Sequence, residues 1–228
     1  MARTVIVTGG TGALGRTVVR SFLEAGDRLV VPWVAARERD ALQDEARDAV
    51  RDDRLVLLEA DVAEAAGAAA VSEAAETAEV LVNGVGGFAG GTPVHETPLE
   101  LWDRMLRINA RTAWAMCGAV VPGMLARGGG VILNVAATVA GTRPAGLAAY
   151  ATSKAAVVVL TETLQKEVAH RGLRINAVAP TTIDTPANRA AMPDADPAAW
   201  TPPARIAAVL RWLASEEARA VRGAVVPV

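Results

Sequence analysis

Cysteine, lysine and aromatic residues are all scarce in this chain of 228 residues. Cys117 is the single cysteine, which excludes an internal disulfide and a multi-thiolate metal site. It lies in an apolar helical stretch, so we interpret it as a buried structural thiol and predict no metal centre. Because aromatic residues make up only 4% of the chain, the core must consist mostly of Ala, Val and Leu.

The chain also lacks an excess of one charge and any long apolar run. The formal net charge is -2 and the sequence pI is about 5.8, with acidic and basic residues interspersed. A nucleic-acid partner is therefore not expected. The first residues lead into a strand without a charged and then apolar leader, and no segment has the roughly 18 uninterrupted apolar residues of a membrane span. We predict a soluble, cytoplasmic protein without a membrane partner.

Short β-rich runs alternate with longer helical patterns along the chain. The runs are continuously apolar, as expected of parallel strands that are buried on both faces. This alternation predicts one α/β domain over residues 1–228, with a Rossmann-type, doubly wound, mostly parallel seven-stranded sheet and helices on both faces. The predicted strands are Thr4–Val7, Arg28–Val31, Leu55–Leu58, Val80–Val82, Val131–Val135, Arg174–Val178 and Ala224–Val226. The predicted helices are Leu14–Ala25, Arg37–Ala49, Glu64–Thr77, Leu99–Ala126, Ala151–His170 and Pro203–Ala214.

A proline-rich irregular stretch, residues 180–202, follows the sixth predicted strand. Open α/β sheets bind ligands at the carboxyl ends of their strands, so this stretch is predicted to cover the substrate. An ordered surface loop is the alternative. Asn188, Arg189, Asp196 and Trp200 either contact the ligand or fasten the loop.

A glycine-rich turn, TGGTGALG, connects the first strand to the first helix. Gly9, Gly12 and Gly15 permit a tight turn that faces a pyrophosphate with the helix N-terminus. A plain strand-to-helix turn is the alternative. The turn therefore predicts a dinucleotide site.

The residues after the second strand bear on the choice of dinucleotide. NAD-dependent folds usually place Asp or Glu there, whereas this chain has Trp33. Arg37 and Arg39 follow closely and are candidates to bind a 2'-phosphate, which favours NADPH over NADH. The alternative is that both arginines face solvent on the next helix.

Two further strand ends carry candidate cofactor contacts. Asp61, followed by Val62, either meets the adenine ring or caps the next helix. Asn83 and Gly84 begin a glycine-rich segment that either lets the backbone approach the cofactor or forms a tight exit loop.

Tyr150 and Lys154 lie four residues apart in the motif YATSK, so they share one helix face. A nearby ammonium is expected to lower the phenol pKa below its usual value of about 10 and make Tyr150 a usable acid. Nucleophilic catalysis is disfavoured, since His95 and His170 are the only histidines and neither belongs to a nucleophile motif.

Taken in order, these motifs resemble the short-chain dehydrogenase/reductase family over essentially the whole chain. The matching features are TGGTGALG, Asp61-Val62, NGVGG, Asn109, YATSK and residues 180–185. The resemblance implies that Tyr150 is the general acid/base, that Lys154 binds the nicotinamide ribose and lowers the tyrosine pKa, and that Asn109 holds a water of the proton relay. It also implies a homodimer or homotetramer in which residues 99–126 and 151–170 pair across a two-fold axis. The expected cofactor contacts are Gly9, Gly12, Leu14, Gly15, Arg37, Asp61, Val62, Asn83, Gly84, Lys154, Pro180, Ile183 and Thr185.

One family element is missing. The catalytic serine normally lies thirteen residues before the tyrosine, and this chain has Ala137 there. Thr138 is adjacent and would substitute for the serine if the loop shifted. Strand alternation directs its side chain elsewhere, however, and a turn-stabilising hydroxyl is its simpler role. Substrate polarisation must therefore differ from that of the family.

The segment GGFAGG, the serine-less loop and residues 183–202 look like the dihydropteridine reductases of this family. Those enzymes reduce a quinonoid dihydropterin, which is already polarised and does not need the serine. We therefore expect NAD(P)H-dependent reduction of a planar carbonyl or quinonoid substrate. Phe88 either stacks on the substrate ring or only packs against its neighbours. The alternatives are a reductase of ordinary ketones and a catalytically inactive dinucleotide sensor. The candidate substrate contacts are Phe88, Ala137, Thr138, Asn188 and Trp200.

Overall fold

The computed structural model describes residues 2–228 and contains one seven-stranded sheet in the order β3-β2-β1-β4-β5-β6-β7. Every pair of neighbouring strands is parallel. The strand order reverses between β1 and β4, and such a reversal opens a crevice at the carboxyl ends of the strands. All seven predicted strands are confirmed, most of them longer by a residue or more. They are β1 Thr4–Thr8, β2 Arg28–Trp33, β3 Leu55–Glu59, β4 Ala78–Asn83, β5 Gly130–Val135, β6 Leu173–Ala179 and β7 Val225–Pro227.

The helices cover both faces of the sheet. The α-helices are α1 Ala13–Glu24, α2 Ala36–Glu45, α3 Arg47–Arg51, α4 Ala65–Ala74, α5 Leu99–Met105, α6 Thr112–Ala126, α7 Val139–Thr142, α8 Ala148–Glu167, α9 Pro186–Ala191 and α10 Pro203–Leu213. A π-helical turn, Leu106–Arg111, joins α5 to α6. Within residues 2–228, no helix has both the length and the apolar character needed to cross a bilayer.

Two predicted helices and the predicted irregular stretch need correction. The helix expected over residues 37–49 is two helices, because Ala46 leaves the helical region with φ -119° and ψ 32°. The helix expected over residues 99–126 contains the π-helical turn, a local widening that is frequent at functional sites. The stretch at residues 180–202 is not fully irregular, since it contains the short helix α9.

The core lies on both faces of the sheet, and successive residues of β1 show why its sequence is continuously apolar. Val5 and Val7 pack with α1 and α10 on one face, whereas Ile6 packs with α4 and α6 on the other. All three side chains are at most 1% exposed. Cys117 is buried in the second cluster, where desolvation raises its thiol pKa to about 12, so it stays a neutral structural thiol.

Candidate active site

The glycine-rich turn follows β1 at the crevice, and its glycines are required by backbone contacts. Gly9 has φ +67°, in the left-handed region that favours glycine. A Cβ on Gly15 would lie 1.9 Å from the Gly9 carbonyl oxygen, a distance that no side chain can adopt. The first turn of α1 therefore packs directly on the loop. Such a close-packed cradle ahead of a helix N-terminus fits the pyrophosphate of a dinucleotide.

At the end of β2, the structure separates the two candidate arginines. The Arg39 guanidinium carbon lies 4.6 Å from the centroid of the Trp33 ring, and its Nε is 2.6 Å from Asp40 Oδ1. Arg37 is exposed, and no hydrogen bond or ion pair of its side chain is found within residues 2–228. Arg39 is thus the ordered cation at this edge, although the cofactor contacts expected from the sequence include Arg37 and not Arg39.

Asp61, after β3, is held in place by two neighbours. Its Oδ1 accepts from the Ala63 N–H at 2.9 Å, and its Oδ2 accepts from Arg107 at 2.7 Å. Helix α4 begins only at Ala65, with Glu64 as its N-cap, so Asp61 forms a turn before the helix and does not cap it. Val62 beside it is buried. The carboxylate stays half-exposed at the crevice edge.

The Asn83 side chain turns away from the crevice. Its amide donates to Asn134 Oδ1 at 2.9 Å and lies 3.5 Å from the Cys117 sulfur, both in the core. Any contact of Asn83 with a cofactor must therefore come from its backbone. Gly84 fits the predicted close approach better, since its N–H donates to the Thr8 carbonyl at 3.1 Å and a Cβ would lie 2.8 Å from that oxygen.

Helix α8 brings the catalytic candidates together with a residue that sequence reasoning overlooked. The Asn109 amide donates to Ser153 Oγ at 2.9 Å, and Ser153 Oγ donates to the Tyr150 carbonyl at 2.7 Å. The same Asn109 side chain exchanges two hydrogen bonds with the Gly87 backbone, each 3.0 Å long. The π-helical turn, the loop after β4 and the tyrosine turn are therefore tied to one another. The serine was visible in YATSK, but its partners are far away in the sequence.

Lys154 is buried at the base of the site. Its side chain is among the least exposed charged groups, and Nζ donates to the Val135 carbonyl at 2.9 Å. Burial in the absence of a compensating carboxylate lowers its pKa from 10.5 to about 8. A Cβ on Gly86 would lie 3.1 Å from Nζ, which places the ammonium beside the loop after β4.

The Tyr150 phenol behaves differently from the sequence expectation. Burial raises its pKa above the usual 10.0, because the phenolate would lose its water. The predicted lowering by Lys154 is therefore absent in the unliganded protein, since the ammonium is directed to the Val135 carbonyl. The Phe88 ring meets the Tyr150 ring edge to face, with centroids 5.1 Å apart and an interplanar angle of 80°. Phe88 itself is 61% exposed at the mouth of the site.

The Thr138 hydroxyl does not replace the missing serine. Ala137 is buried where that serine would stand. The Thr138 hydroxyl instead donates to the Pro180 carbonyl at 3.4 Å, and its N–H donates to the same oxygen at 3.0 Å. Thr138 therefore fastens the loop after β5 to the start of the 180–202 stretch, which agrees with its predicted direction away from the site.

The 180–202 stretch is held together by its own polar groups. Ile183 forms a bridge with Thr201 at the two ends of the stretch. Thr185 caps α9 by accepting from the Asn188 N–H at 3.2 Å, and the Asn188 amide donates to the Ile183 carbonyl at 2.8 Å. Asn188 thus fastens the loop, one of the two roles predicted for it. Trp200 is partly buried close to the bridge.

Arg189 and Asp196 have the same fastening role as Asn188. Arg189 makes two bonds to Asp184, 2.6 and 2.8 Å long, and these hold the Asp184 pKa below its usual value. Asp196 caps the following short helix by accepting from the Ala198 N–H at 2.9 Å. These contacts support the loop-fastening alternative for both residues.

Comparison with known proteins decides the family. Residues 3–196 match the family described as short chain dehydrogenase. The chain belongs to the short-chain dehydrogenase/reductase family. It is an NAD(P)-dependent oxidoreductase, and the alternative of a catalytically inactive sensor is set aside.

Relatives of this family member extend over most of its length. It is 36% identical over 194 residues to the 2-(R)-hydroxypropyl-CoM dehydrogenase of Xanthobacter autotrophicus, a match covering 82% of this chain and 76% of that one. It is 35% identical over 240 residues to the galactitol 2-dehydrogenase of Rhizobium johnstonii, covering 98% and 92%. A blue fluorescent protein from a metagenomic library, solved in complex with NADPH, superposes with a TM-score of 0.87 at 29% identity, covering 99% and 96%. None of these three is a dihydropteridine reductase.

Proposed function

We propose that this short-chain reductase acts on a planar carbonyl or quinonoid compound, such as a quinonoid dihydropterin, with Tyr150 as the general acid. The observation that carries the proposal is the alanine at the position of the family's catalytic serine. Ala137 offers no hydroxyl there, and the Thr138 hydroxyl is bonded to Pro180. A substrate that is polarised by its own conjugation does not need that donor.

The exposed ring of Phe88 gives the site a surface suited to a flat substrate. It packs against the Tyr150 ring in a T-shaped pair, so a substrate ring that stacks on Phe88 lies close to the tyrosine. The other phenylalanine, Phe22, is buried in the core, and of the five tryptophans Trp200 lies in the 180–202 stretch. Phe88 is therefore the proposed stacking partner, and Trp200 remains a candidate at the loop edge.

The residues at the crevice have different roles in the proposed reaction. When bound, the reduced nicotinamide cofactor supplies the hydride. Tyr150 donates its phenolic proton to the substrate atom that gains negative charge and becomes phenolate. Lys154 supplies a positive charge from one turn further along the same helix, while Asn109 and Ser153 fix the turn that carries the phenol. A raised tyrosine pKa keeps the proton on Tyr150 until the substrate is in place.

Of the two nicotinamide cofactors, NADH and NADPH, we propose NADPH. Arg39 supports this choice, because an ordered guanidinium at the end of β2 is suited to a 2'-phosphate. A related structure contains NADPH, which agrees with this choice. The glycine cradle, Asp61, Gly84 and the residues that start the 180–202 stretch make up the proposed dinucleotide site.

A reductase of ordinary ketones is the second candidate. Two relatives are dehydrogenases named for hydroxy compounds, a hydroxypropyl-CoM and a sugar alcohol. A ketone product of such a reaction would need polarisation from a group other than the absent serine. The Tyr150 phenol is the donor at the site that could provide it.

The test is oxidation of NADPH and of NADH with quinonoid dihydropterin, quinones and simple ketones. Tyr150→Phe should abolish turnover, because it removes the proton donor and keeps the ring. Phe88→Ala should raise KM for flat substrates and leave small ketones unaffected. Fast turnover of ketones alone would replace the leading proposal by the second candidate. Full activity of folded Tyr150→Phe would show that the proposed acid is wrong.

A homodimer or homotetramer is part of the proposal. Trp114 on α6 is 69% exposed and Val159 on α8 is 60% exposed, and both helices border a groove of about 630 Å³. Apolar side chains in such a position suit pairing with a second copy. Light scattering should give a multiple of the chain mass, and Trp114→Glu should shift it toward the monomer. A monomeric wild type at micromolar concentration would contradict this proposal.

The cytoplasmic location remains a prediction.

A further inference from the structure

A carboxylate lies on the glycine-rich turn even though the end of β2 has none. Glu38, in the first turn of α2, reaches back to the turn, where its Oε2 accepts from the Thr11 hydroxyl at 3.2 Å. Thr11 is only 6% exposed and lies between Gly9 and Gly12. Helix α2 thus supplies an acidic group, whereas Trp33 occupies the position at the end of β2 where an acidic residue is usual.

The position of the Glu38 carboxylate on the glycine-rich turn suits the binding of ribose hydroxyls. In dinucleotide folds, an acidic residue about 20 residues beyond the glycine-rich turn binds the hydroxyls of the adenosine ribose. Glu38 lies 23 residues after Gly15 and contacts the turn itself. A carboxylate accepts hydrogen bonds from two neighbouring hydroxyls, but it repels a phosphate at the same position because the charges are alike.

The cation that would favour a 2'-phosphate is partly compensated. Arg39 stacks on Trp33, and its Nε lies 2.6 Å from Asp40 Oδ1. Residues 37–40 therefore carry two arginines and two acids, with no net charge at the end of β2. Because Asp40 partly neutralises Arg39, a carboxylate on the glycine-rich turn strongly influences whether the site binds an unmodified ribose or a 2'-phosphorylated ribose.

We infer that Glu38 is a specificity-determining residue of the adenosine ribose site. Held on the turn by Thr11, its carboxylate accepts from the ribose hydroxyls of NAD(H) and repels the 2'-phosphate of NADP(H). Glu38 thereby limits the preference for NADPH that Arg39 favours. The inference rests on one part of the proposed function, namely that the glycine-rich turn binds a dinucleotide. It concerns the ratio of the affinities for the two cofactors, NAD(H) and NADP(H).

The experiment compares two fragments that lack nicotinamide, ADP-ribose and 2'-phospho-ADP-ribose, by titration calorimetry. Neither can react, so the readout does not depend on turnover. Glu38→Gln keeps the size of the side chain and removes its charge. Losing one charge-assisted bond and one repulsion should shift the ratio of the two Kd values toward the phosphorylated fragment by about ten-fold or more.

Two sets of controls separate a local effect from a general one. Asp44→Asn removes an exposed carboxylate from the same helix, where it pairs with Arg47 at 3.1 Å, and should leave the ratio unchanged. Thr11→Val removes the hydroxyl that holds Glu38 and should shift the ratio in the same direction, whereas Thr11→Ser should restore it. Thermal unfolding of each variant confirms that it is folded.

The outcomes distinguish the inference from the proposed function. An unchanged ratio in Glu38→Gln, with both fragments still bound, would overturn the role of Glu38 and leave the reductase proposal intact. An equal shift in Asp44→Asn would overturn it as well, since the effect would then be one of net charge. If the wild type bound neither fragment, the dinucleotide site at this turn would itself be wrong.

Discussion

Lys154 holds an ammonium where the protein provides little solvation, so its replacement should stabilise the unliganded enzyme while it destroys the site. The side chain is 5% exposed and has one polar partner, the Val135 carbonyl at 2.9 Å. Burial lowers its pKa from 10.5 to about 8. We therefore predict that Lys154→Met raises the free energy of unfolding at neutral pH, because methionine fills similar space without a charge.

The size of the effect follows from the pKa. A lowering from 10.5 to about 8 corresponds to about 3 kcal/mol of unfavourable burial of the charged form. Methionine also leaves the Val135 carbonyl without its donor, which costs about 1 kcal/mol. The net gain at pH 7 is about 2 kcal/mol, or a rise in Tm of about 4–8 °C for a chain of this size.

The sign of the pH dependence is fixed by the same pKa. Between pH 8 and 10.5 the unfolded chain keeps a proton on Lys154 that the folded protein has released, so wild-type stability rises with pH in this window. Below about pH 8 the full cost of the buried charge is present. Above 10.5 both states are neutral and the cost is gone. The advantage of Lys154→Met should therefore be lost near pH 10.5.

Urea unfolding followed by circular dichroism at pH 7 and pH 10.5 measures this difference. Lys166→Met is the matched control, because Lys166 is exposed on the same helix and its loss should change stability by less than about 0.5 kcal/mol. Turnover by Lys154→Met should fall at least about 100-fold, as expected when the charge beside the acid is removed. A destabilised Lys154→Met at pH 7, or a difference that is equal at both pH values, would refute the reasoning.

Three further predictions concern other parts of the site. Tyr150 is the only tyrosine, so ultraviolet titration of phenolate absorbance should give its pKa directly, above 10.0 in the unliganded protein; a value below 10 would contradict the effect of burial. Ala137→Ser should raise kcat/KM for simple ketones by about ten-fold and leave quinonoid substrates unaffected, and equal effects on both would contradict the proposed substrate class. Gly15→Ala should lower the free energy of unfolding by about 1–3 kcal/mol in urea titrations and weaken cofactor binding, because the alanine Cβ would meet the Gly9 carbonyl oxygen. An unchanged urea midpoint would disprove that contact.

Local patterns were sufficient for the elements and for part of the site. Continuous apolar runs predicted every strand, because a parallel strand buried on two faces has no polar face to interrupt it. The i, i+4 spacing placed Tyr150 and Lys154 on one helix face without knowledge of the rest of the fold. The break at Ala46 and the π-helical turn were missed, since no glycine or proline marks either of them in the sequence.

The amino-acid sequence by itself determined the class of fold, the family, the glycine cradle and the placement of Tyr150 and Lys154 on one helix face, because each depends on spacing along the chain. Tertiary structure alone decided how the polar groups are used. It raised the Tyr150 pKa by burial, directed Asn83 into the core, tied Asn188 into the loop and brought Glu38 to Thr11. Desolvation and long-range hydrogen bonds depend on neighbours that are distant in sequence, and no local pattern encodes them.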